Sequence, residues 1–181
     1  ITGGAVVIDG TAYTAKSYFN TLTLTNVTLP VKSKGVEVSG TITSYGSKTD
    51  TITVQLIEEG LPEPAYETTV TGTSAAYSFE TVSAGNYTLK VMKKGHAPFT
   101  KEITVGDSNV TKDVTIYLWG DVNKDGEINC QDLQRLYEHL KGENPLPTED
   151  VSLGNVNGDN TVNGQDWQRL YEHVKGEKPL T

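Results

Sequence analysis

Cysteine, long apolar runs and basic charge are all scarce in this chain. One cysteine, Cys130, occurs among 181 residues, so an internal disulfide is excluded. No apolar run approaches the roughly 20 residues that a membrane-spanning helix needs, so we expect no membrane insertion. The chain has 15 Lys and Arg residues and 23 Asp and Glu residues, which gives a net charge of −8. An acidic chain without a basic patch is a poor partner for nucleic acid.

Residues suited to catalysis are also few. The chain has three histidines, His96, His139 and His173, and no Ser/His/Asp arrangement or nucleotide-binding loop is visible. Paired carboxylates could serve glycoside hydrolysis, but the clustered ones lie in loops that have a metal-binding pattern. Cys130 sits in one of these acidic loops, which disfavours its thiolate. We therefore expect that the chain is not an enzyme.

The last third of the chain is an internal repeat. Residues 120–146 and 154–180 align at an offset of 34 positions, and about two-thirds of the aligned residues are identical. Each copy opens with an Asp- and Asn-rich loop and closes with a short amphipathic helix. One such loop is often a solvated turn, but two in register, each leading into the same helix, favour metal-binding loops.

The first loop has the ligand spacing of a calcium site. Ca²⁺ takes about six to eight oxygen ligands, which a loop of about twelve residues supplies at positions 1, 3, 5, 7, 9 and 12. Gly126 falls at position 6, where the chain turns sharply, and Asp replaces the usual Glu at position 12. The predicted ligands are Asp121, Asn123, Asp125, the backbone carbonyl of Glu127, Asn129 and Asp132.

The second loop keeps the pattern with less charge. Its predicted ligands are Asn155, Asn157, Asp159, the backbone carbonyl of Thr161, Asn163 and Asp166. Asn155 replaces an acid, and Asn160 stands at the turn where the first loop has glycine. Asn tolerates a left-handed backbone, so the turn can survive. Since affinity follows ligand charge, we predict two calcium sites, the second weaker than the first.

The two helices carry matching faces. Apolar residues at i, i+3, i+4 and i+7 predict core stripes, which are Leu133, Leu136, Tyr137 and Leu140, then Trp167, Leu170, Tyr171 and Val174. The opposite faces are identical between copies, with Gln131, Gln134, Arg135, Glu138 and His139 matching Gln165, Gln168, Arg169, Glu172 and His173. A fold constrains its core more than its surface, so identical surfaces favour a binding partner. Recent duplication is the alternative, and the drift in the loop ligands argues against it.

The runs GDVNKDGEIN and GNVNGDNTVN, with the helices behind them, resemble a dockerin, the EF-hand-like calcium-binding module of cellulosome proteins. The resemblance covers residues 119–181. It implies a small all-α domain that binds a cohesin module of a scaffoldin or cell-surface protein. It also places recognition along the helices and at loop positions 10 and 11, here Cys130 with Gln131, and Gly164 with Gln165. Many dockerins carry Ser or Thr there, so we expect a different cohesin specificity.

The duplication also resembles dockerins that bind their partner in either of two orientations. A calmodulin-like sensor is the alternative for paired calcium loops, but sensors expose a Met-rich groove. The single methionine of this chain, Met92, lies outside the loops. Trp119, just before the first loop, either packs on Pro179 and clasps the module's ends or lies buried at a domain junction.

Residues 36–118 predict an antiparallel β-sandwich. About seven short β-branched runs are separated by turn signals, and apolar residues fall at every second position of a run, so that they share one face. We expect strands over residues 36–44, 50–58, 66–72, 76–81, 86–94, 99–105 and 110–118. The chain is thus predicted to be a multidomain β plus α protein.

This region resembles carboxypeptidase-regulatory-like domains, in the pieces Tyr-Ser-Phe, Ala-Gly-Asn-Tyr-Thr-Leu and Lys-Gly-His between residues 77 and 96. The resemblance implies an Ig-like or transthyretin-like accessory module. A β-sandwich directly before a dockerin also resembles the X-module–dockerin arrangement, in which the X-module stabilises the dockerin. No Ser/Pro tether separates Leu118 from Gly120, so we expect the two domains to pack together.

Residues 1–35 are open to two interpretations. A tight turn at Asp9-Gly10 predicts a hairpin, and the alternation over residues 18–29 predicts a long strand that ends at Pro30. The segment is either the tail of a preceding module or extra strands on the sandwich. Because the chain begins at Ile1 instead of Met, we expect a longer parent protein.

A second functional hypothesis is a carbohydrate- or cell-wall-binding β-sandwich with an appended calcium-stabilised domain. Sugar-binding platforms need exposed aromatic residues, and the candidates in the sandwich are Tyr45, Tyr66 and Tyr77. The dockerin resemblance implies an extracellular or cell-surface protein of an anaerobic cellulolytic bacterium. It also implies that the parent protein contacts polysaccharide and takes part in its degradation.

Overall fold

The computed structural model describes residues 5–8, 11–14 and 35–180. The chain divides into two units, Ile1–Lys32 and Ser33–Thr181. Within the part of the chain that the structure describes, no helix is long and apolar enough to cross a membrane.

The first unit contains a β-hairpin. Strands β1 (Ala5–Ile8) and β2 (Thr11–Thr14) pair antiparallel, which confirms the hairpin predicted from the sequence. Its two turn residues and the long strand expected over 18–29 lie outside the described residues.

The second unit begins with a β-sandwich, whose strands form where β-branched and aromatic residues alternate with polar ones. The strands are β3 (Val36–Thr43), β4 (Thr51–Glu58), β5 (Pro64–Thr71), β6 (Ser74–Val82), β7 (Gly85–Lys93), β8 (Phe99–Val105), β9 (Val110–Thr111) and β10 (Val114–Thr115). The first six of the seven predicted strands are confirmed to within two residues at each end.

The strands form two sheets. One has the order β10-β3-β6, with β9 also paired to β3, and the other has the order β5-β4-β7-β8. The pairings are antiparallel except that β9 and β10 run parallel to β3. The prediction of a single last strand over 110–118 is therefore wrong, because the chain is broken there into two short strands.

The break has a local cause at Gly40. The backbone N–H of Lys112 donates to the Ser39 carbonyl at 2.8 Å, and the Thr41 N–H donates to Oδ1 of Asp113 at 2.8 Å. A Cβ on Gly40 would lie 2.0 Å from the Lys112 carbonyl oxygen, so only glycine lets the chain approach β3 this closely. This close approach lies between β9 and β10, which pair with the same edge of β3 on either side of Gly40.

The sandwich core consists of the alternating apolar rows that the sequence predicts. Strand β4 contributes Ile52, Val54 and Leu56, each fully buried, and β7, its neighbour in the same sheet, contributes Leu89 and Val91, also fully buried. The rows face inward because side chains alternate across a strand. Burying one such side chain stabilises the fold by about 1.5–3 kcal/mol.

A small helical region follows the sandwich. It contains α1 (Cys130–Lys141), a 3₁₀ turn (Val151–Gly154) and α2 (Gly164–Val174). Its core is built on the buried side chains Val122, Leu136, Leu146 and Leu170. This core is small, so the region depends on contributions beyond apolar burial.

The predicted core stripes are only partly buried. Leu136 and Leu170 are fully buried, but Tyr137 is 42% exposed and Leu140 is 36% exposed. The remaining stripe residues, Leu133, Trp167, Tyr171 and Val174, are half-buried. The prediction that all residues of each stripe lie in the core is therefore wrong. Two short helices and two loops are too small to cover the full stripe on each helix.

The sandwich and the helical region are joined by hydrogen-bonded backbone. The Ala97 N–H donates to the Tyr117 carbonyl and the Trp119 N–H donates to the Gly95 carbonyl, each at 3.0 Å. Trp119 is half-buried. The two ends of the helical region approach each other at Gly120, the residue after it, and Leu180. A Cβ on Gly120 would lie 3.1 Å from Cδ1 of Leu180. The expected packing of the two domains is confirmed.

Candidate functional site

The first loop places one carboxylate in an unusual position. Asp121 is fully buried, and its Oδ2 accepts a hydrogen bond from the Gly126 N–H at 3.1 Å. Its Oδ1 is buried without any hydrogen-bond partner among the described residues. A buried polar atom without a partner costs free energy, and a charged one costs more. The loop is therefore incomplete around this oxygen, and a cation would complete it.

Burial raises the pKa of the Asp121 carboxyl to about 6 from its usual 3.8. The hydrogen bond from Gly126 opposes this rise, whereas the negative charges of Asp132 and Asp125 add to it. Burial likewise raises the pKa of Asp132, against hydrogen bonds from backbone amides. Without a cation, keeping these carboxyl groups charged in the folded loop therefore costs folding free energy.

Two predicted ligands also start the first helix. Asn129 is the N-cap of α1 and accepts from the Gln131 N–H at 2.7 Å, and Asp132 completes a capping box by accepting from the Asn129 N–H. Oδ1 of Asp132 accepts from the Val122 N–H at 2.8 Å. Asn129 and Asp132 thus both close the loop and begin the helix. Folding of the loop and folding of the helix are therefore coupled.

The second loop repeats this geometry without the buried acid at position 1, although Asp166 at position 12 is buried like Asp132. Asn163 caps α2 and Asp166 completes the capping box, as in the first copy. Asn160 has φ +65°, which confirms that it takes the left-handed turn held by Gly126 in the first loop. Position 1 is the neutral Asn155, whose Oδ1 accepts from the Gly158 N–H at 3.1 Å. This loop therefore has no counterpart of the partnerless Asp121 oxygen.

The donor set fits calcium better than other metals. The described residues contain no group of three or more His, Cys, Asp or Glu side chains that could hold a metal by themselves. A cation in the first loop would therefore also need the amide and carbonyl oxygens of Asn123, Glu127 and Asn129, and such all-oxygen sets suit Ca²⁺. The buried partnerless oxygen of Asp121 and this oxygen chemistry together fit a calcium ion in the first loop.

The sandwich covers the first loop through an aromatic contact. Tyr45, in the β3–β4 connection, lies so close that a Cβ on Gly126 would be 2.4 Å from its ring. Tyr45 stacks on Tyr117 with ring centres 5.7 Å apart, and Nζ of Lys124 lies 5.5 Å from the Tyr117 ring centre. Lys124 also pairs with Asp150. Nothing in the sequence pattern predicts this contact.

Buried polar groups hold Tyr45 in place. The Tyr45 N–H donates to Nε2 of His96 at 3.2 Å, and the other ring nitrogen of His96 lies 2.9 Å from the Lys94 carbonyl. Lys93, itself buried, donates to Ser44 Oγ and to the carbonyls of Tyr45 and Ser47. Burial lowers the pKa of both His96 and Lys93. His96 is thus a structural residue rather than a catalytic base.

The predicted recognition residues line two matching surface grooves, one along each helix. The first is lined by Asn123, Cys130, Gln131, Gln134, Arg135 and Glu138. The second is lined by Asn157, Gly164, Gln165, Gln168, Arg169 and Glu172. The structure therefore brings most of each predicted face together and keeps the two copies equivalent.

Some of the identical residues also serve the fold. Arg135 donates to the carbonyls of Asn144 and Pro145, and Nδ1 of His139 accepts from the Leu146 N–H at 3.0 Å. These bonds hold the segment after α1 so that Leu146 enters the core. The identity of the Arg and His between copies thus has a structural reason as well.

The second copy makes the same contacts. Arg169 donates to the carbonyls of Lys178 and Pro179, and Nδ1 of His173 accepts from the Leu180 N–H at 3.1 Å. Gln131, Gln134, Gln165 and Gln168 are exposed. These glutamines are therefore better probes of recognition than the arginines and histidines.

The tyrosines proposed for sugar binding have other surroundings. Tyr77 is buried and donates to the Lys112 carbonyl at 2.8 Å, and burial raises its pKa to about 12. Tyr66 packs against the sandwich core, and Tyr45 covers the first loop. These three rings therefore do not form an exposed platform.

Two family models match the chain. Residues 119–175 match the model of the dockerin type I domain, and residues 33–118 match that of the second β-sandwich domain of BOS complex subunit NOMO1-like proteins. Both are families of non-catalytic modules. A comparison with curated proteins finds no match.

Among solved structures, similar chains occur in two type II cohesin–X-dockerin complexes from Acetivibrio cellulolyticus, a C-terminal and an N-terminal interface mutant. Each is 19% identical, with 77% of this chain and 95% of that chain covered. The TM-scores are 0.33 and 0.32.

Proposed function

Because residues 119–175 match the model of the dockerin type I domain and follow a β-sandwich, we propose that this part of the chain is a non-catalytic, calcium-dependent docking module. It binds a cohesin module and thereby assembles or surface-attaches a cellulosome component. The observation that carries the proposal is the buried Asp121 oxygen without a partner, since a cation in the loop that begins the first helix would supply one. The proposed domain boundaries are 36–118 and 119–181.

Calcium acts by completing the loops. The first site is held by the oxygens of Asp121, Asn123, Asp125, Glu127, Asn129 and Asp132, and the second by those of Asn155, Asn157, Asp159, Thr161, Asn163 and Asp166. A bound Ca²⁺ supplies the positive charge that offsets the carboxylates. Asn129 and Asp132 cap α1, so a loop that is held in place also holds the helix that follows. The second site, with two carboxylates in place of three, is the weaker.

The partner is bound by the polar helix faces. The exposed glutamines Gln131 and Gln134 on α1 match Gln165 and Gln168 on α2. Glu138 and Glu172 accept hydrogen bonds from Gln134 and Gln168, which orders both faces alike. Because either face presents the same groups, the module binds its partner in two orientations related by a half turn.

The sandwich braces the docking domain, and the location is extracellular or at the cell surface. The bracing rests on the contact of Tyr45 with Gly126 and on the backbone bonds between Gly95, Ala97 and the linker. The location rests on the family, since docking modules serve assemblies that act on polysaccharide outside the cell.

A pull-down against a panel of cohesin modules, with Ca²⁺ and then with EDTA, tests the proposal. We expect capture by one cohesin class that EDTA abolishes, and loss of capture when Asp121 and Asp125 are both replaced by alanine. The matched control replaces Asn109 and Asp107, which lie in the β8–β9 turn, and should keep capture. Capture that persists in EDTA, or no capture by any cohesin, would contradict calcium-dependent docking.

The two orientations are tested with the glutamines, which avoids the structural role of Arg135. Replacing Gln131 and Gln134 together by alanine should be tolerated, as should the same change at Gln165 and Gln168. All four replacements together should abolish binding. Loss of binding from one pair alone would show a single orientation.

A further inference from the structure

One histidine of the sandwich is buried and hydrogen-bonded through both nitrogens of its ring. His96, in the turn between β7 and β8, is 5% exposed. Its Nε2 accepts from the Tyr45 N–H at 3.2 Å, and its Nδ1 lies 2.9 Å from the Lys94 carbonyl oxygen. A carbonyl oxygen can only accept, so Nδ1 carries the proton and Nε2 carries none. These contacts therefore hold the ring in its neutral form.

Protonation of His96 would break its bond to Tyr45. An imidazolium has an N–H on both nitrogens, so Nε2 and the Tyr45 N–H would face each other as two donors. The buried Lys93 ammonium donates to the Tyr45 carbonyl at 3.2 Å, so a second positive charge would arise close to the first. Unpaired buried polar groups and neighbouring like charges both cost free energy. The position of Tyr45 therefore depends on a neutral His96.

Three segments contribute charged or titratable groups around the His96 ring. They are Lys93 and Lys94 from β7 and its turn, Tyr45 and Asp50 from the β3–β4 connection, and Tyr117 from the segment before the first calcium loop. Burial lowers the pKa of His96 from its usual 6.5, and the Lys93 charge adds to this, whereas the Lys94 carbonyl and the Asp50 charge oppose it. The ring is thus neutral at pH 7 and takes up a proton as the pH falls below 6.5.

The side chain of Tyr45 covers the first calcium loop. A Cβ on Gly126 would lie 2.4 Å from its ring. Burial raises the pKa of the Tyr45 hydroxyl, Tyr117 adds to this, and the negative charges of Asp121 and Asp125 raise it further. The hydroxyl therefore lies close to two of the carboxylates proposed to bind calcium. A ring in this position keeps water from one side of the loop, and opposite charges attract more strongly where water is excluded.

The second calcium loop provides an internal comparison. Asn160, which takes the left-handed turn that Gly126 takes in the first loop, is exposed. Acid protonates carboxylates and so competes with calcium at both loops. A change in the position of Tyr45 would act on the first loop alone.

We propose that His96 is a positioning residue for the first calcium site, holding Tyr45 over the loop when neutral and releasing it when protonated, so that acid weakens calcium binding there. This inference rests on the proposed function, because it concerns the calcium site of the docking domain. The sandwich thereby makes docking sensitive to pH through a residue that does not touch the metal. Because coupling between sites is reciprocal, calcium in the first loop also favours the neutral form of His96.

The first test separates His96 from the loop carboxylates. The full chain and His96→Gln are titrated with Ca²⁺ by calorimetry at pH 7.5 and 5.5, and the first site is identified as the one that Asp125→Ala removes. Glutamine offers an oxygen acceptor for the Tyr45 N–H that does not titrate. We expect the first-site affinity of His96→Gln to lie within about twofold of that of the unaltered chain at pH 7.5.

The diagnostic result is the change between the two pH values. From pH 7.5 to 5.5, the first-site affinity of His96→Gln should fall by a factor at least about three times smaller than that of the unaltered chain. The second site should lose the same factor in both proteins, because its carboxylates are unaltered. An equal loss at the first site in both proteins would overturn the inference and leave calcium-dependent docking intact.

The second test uses the native histidine and the reciprocal effect. The pKa of His96, followed by NMR, should fall when Ca²⁺ is added to the unaltered chain, and Tyr45→Ala should remove most of this fall. The charge of the ion acts directly on His96 in both proteins, so the difference between them reports the tyrosine. His173, on α2, is the control, and its pKa should respond to Ca²⁺ alike in both.

The outcomes distinguish the inference from the proposed function. A calcium-induced fall in the pKa of His96 that is the same with and without the Tyr45 ring would overturn the inference, even if His96→Gln failed to fold. Calcium binding that Tyr45→Ala leaves unchanged at the first site would overturn it as well. If the first loop of the unaltered chain binds no Ca²⁺ at either pH, the proposed function falls and the inference falls with it.

Discussion

Replacing Asp121 with asparagine should stabilise the metal-free protein and destabilise the calcium-bound one. In the absence of metal, the buried carboxylate carries a charge with one oxygen unpartnered. Asparagine keeps an oxygen that can accept from the Gly126 N–H and puts an uncharged amide beside Asp125 and Asp132. With calcium present, the same change removes a charged ligand from the stronger site. Asp121→Asn should therefore be more stable than the unaltered chain without calcium and less stable than it with calcium.

The magnitude follows from the pKa of Asp121, about 6 against the usual 3.8. At pH 7 this difference corresponds to a penalty of at most about 3 kcal/mol for holding the charge in the fold. Since the folded-state pKa is raised, stability is present below pH 4 and lost as the pH rises through about 6. We expect Asp121→Asn to raise the free energy of unfolding by about 1–3 kcal/mol in EDTA at pH 7, and to gain little at pH 4.

Urea unfolding followed by tryptophan fluorescence measures this. Both tryptophans, Trp119 and Trp167, lie in residues 119–181, so the signal reports the docking domain and its junction with the sandwich. Asp159→Asn, which removes an exposed loop acid, is the control and should change the metal-free stability little. If Asp121→Asn is no more stable than the unaltered chain in EDTA at pH 7, the argument from the buried oxygen is wrong.

Three further outcomes are expected. Asn155→Asp restores the acid of the first loop, so calorimetry should show a severalfold tighter second calcium site, and an unchanged affinity would contradict the charge argument. Arg135→Met removes the donor to two backbone carbonyls, so urea unfolding should show a loss of about 1 kcal/mol at constant calcium affinity. Burial lowers the pKa of His173 below 6.5, so the stability that its neutral form gives to the fold is lost as the pH falls below 6.5. His173→Asn keeps an acceptor for the Leu180 N–H without titrating, and its urea midpoint should fall less between pH 7.5 and 5.5 than that of the unaltered chain.

The loop geometry could be predicted because local chemistry dictates it. Asn160 takes the left-handed turn that its amide side chain tolerates, and Asn129 and Asn163 cap the helices, as their short polar side chains favour. The sandwich rows of β4 and β7 were predictable for the same reason, since alternation along one strand decides which face is buried.

Contacts between distant segments could not be predicted. Tyr45 and Gly126 are far apart in the sequence, and no periodicity indicates that one ring covers the other loop. The break at Lys112 likewise depends on the glycine of a different strand. Identity between the copies at Arg135 and Arg169 predicts partner recognition, and the structure adds that both side chains hold the segments that follow their own helices.

The exposure of Tyr137 has a signal in the sequence that the helical period obscures. Tyr137 and Tyr171 fall on the predicted core stripe, but each carries a hydroxyl group and each is followed four residues later by lysine. A tyrosine–lysine pair kept in both copies is typical of a helix edge that meets water, because a fully buried tyrosine needs a hydrogen-bond partner.

The cover that Tyr45 forms over Gly126 limits how portable the docking domain is. A fusion that transplants residues 119–181 onto another protein would carry both loops but leave the first without its tyrosine. The second would lose less, since Asn160, its counterpart of Gly126, is already exposed. The two repeats match in sequence but are not interchangeable, because the loop with the buried Asp121 is the one that the sandwich covers. A graft of the docking domain should therefore include the sandwich.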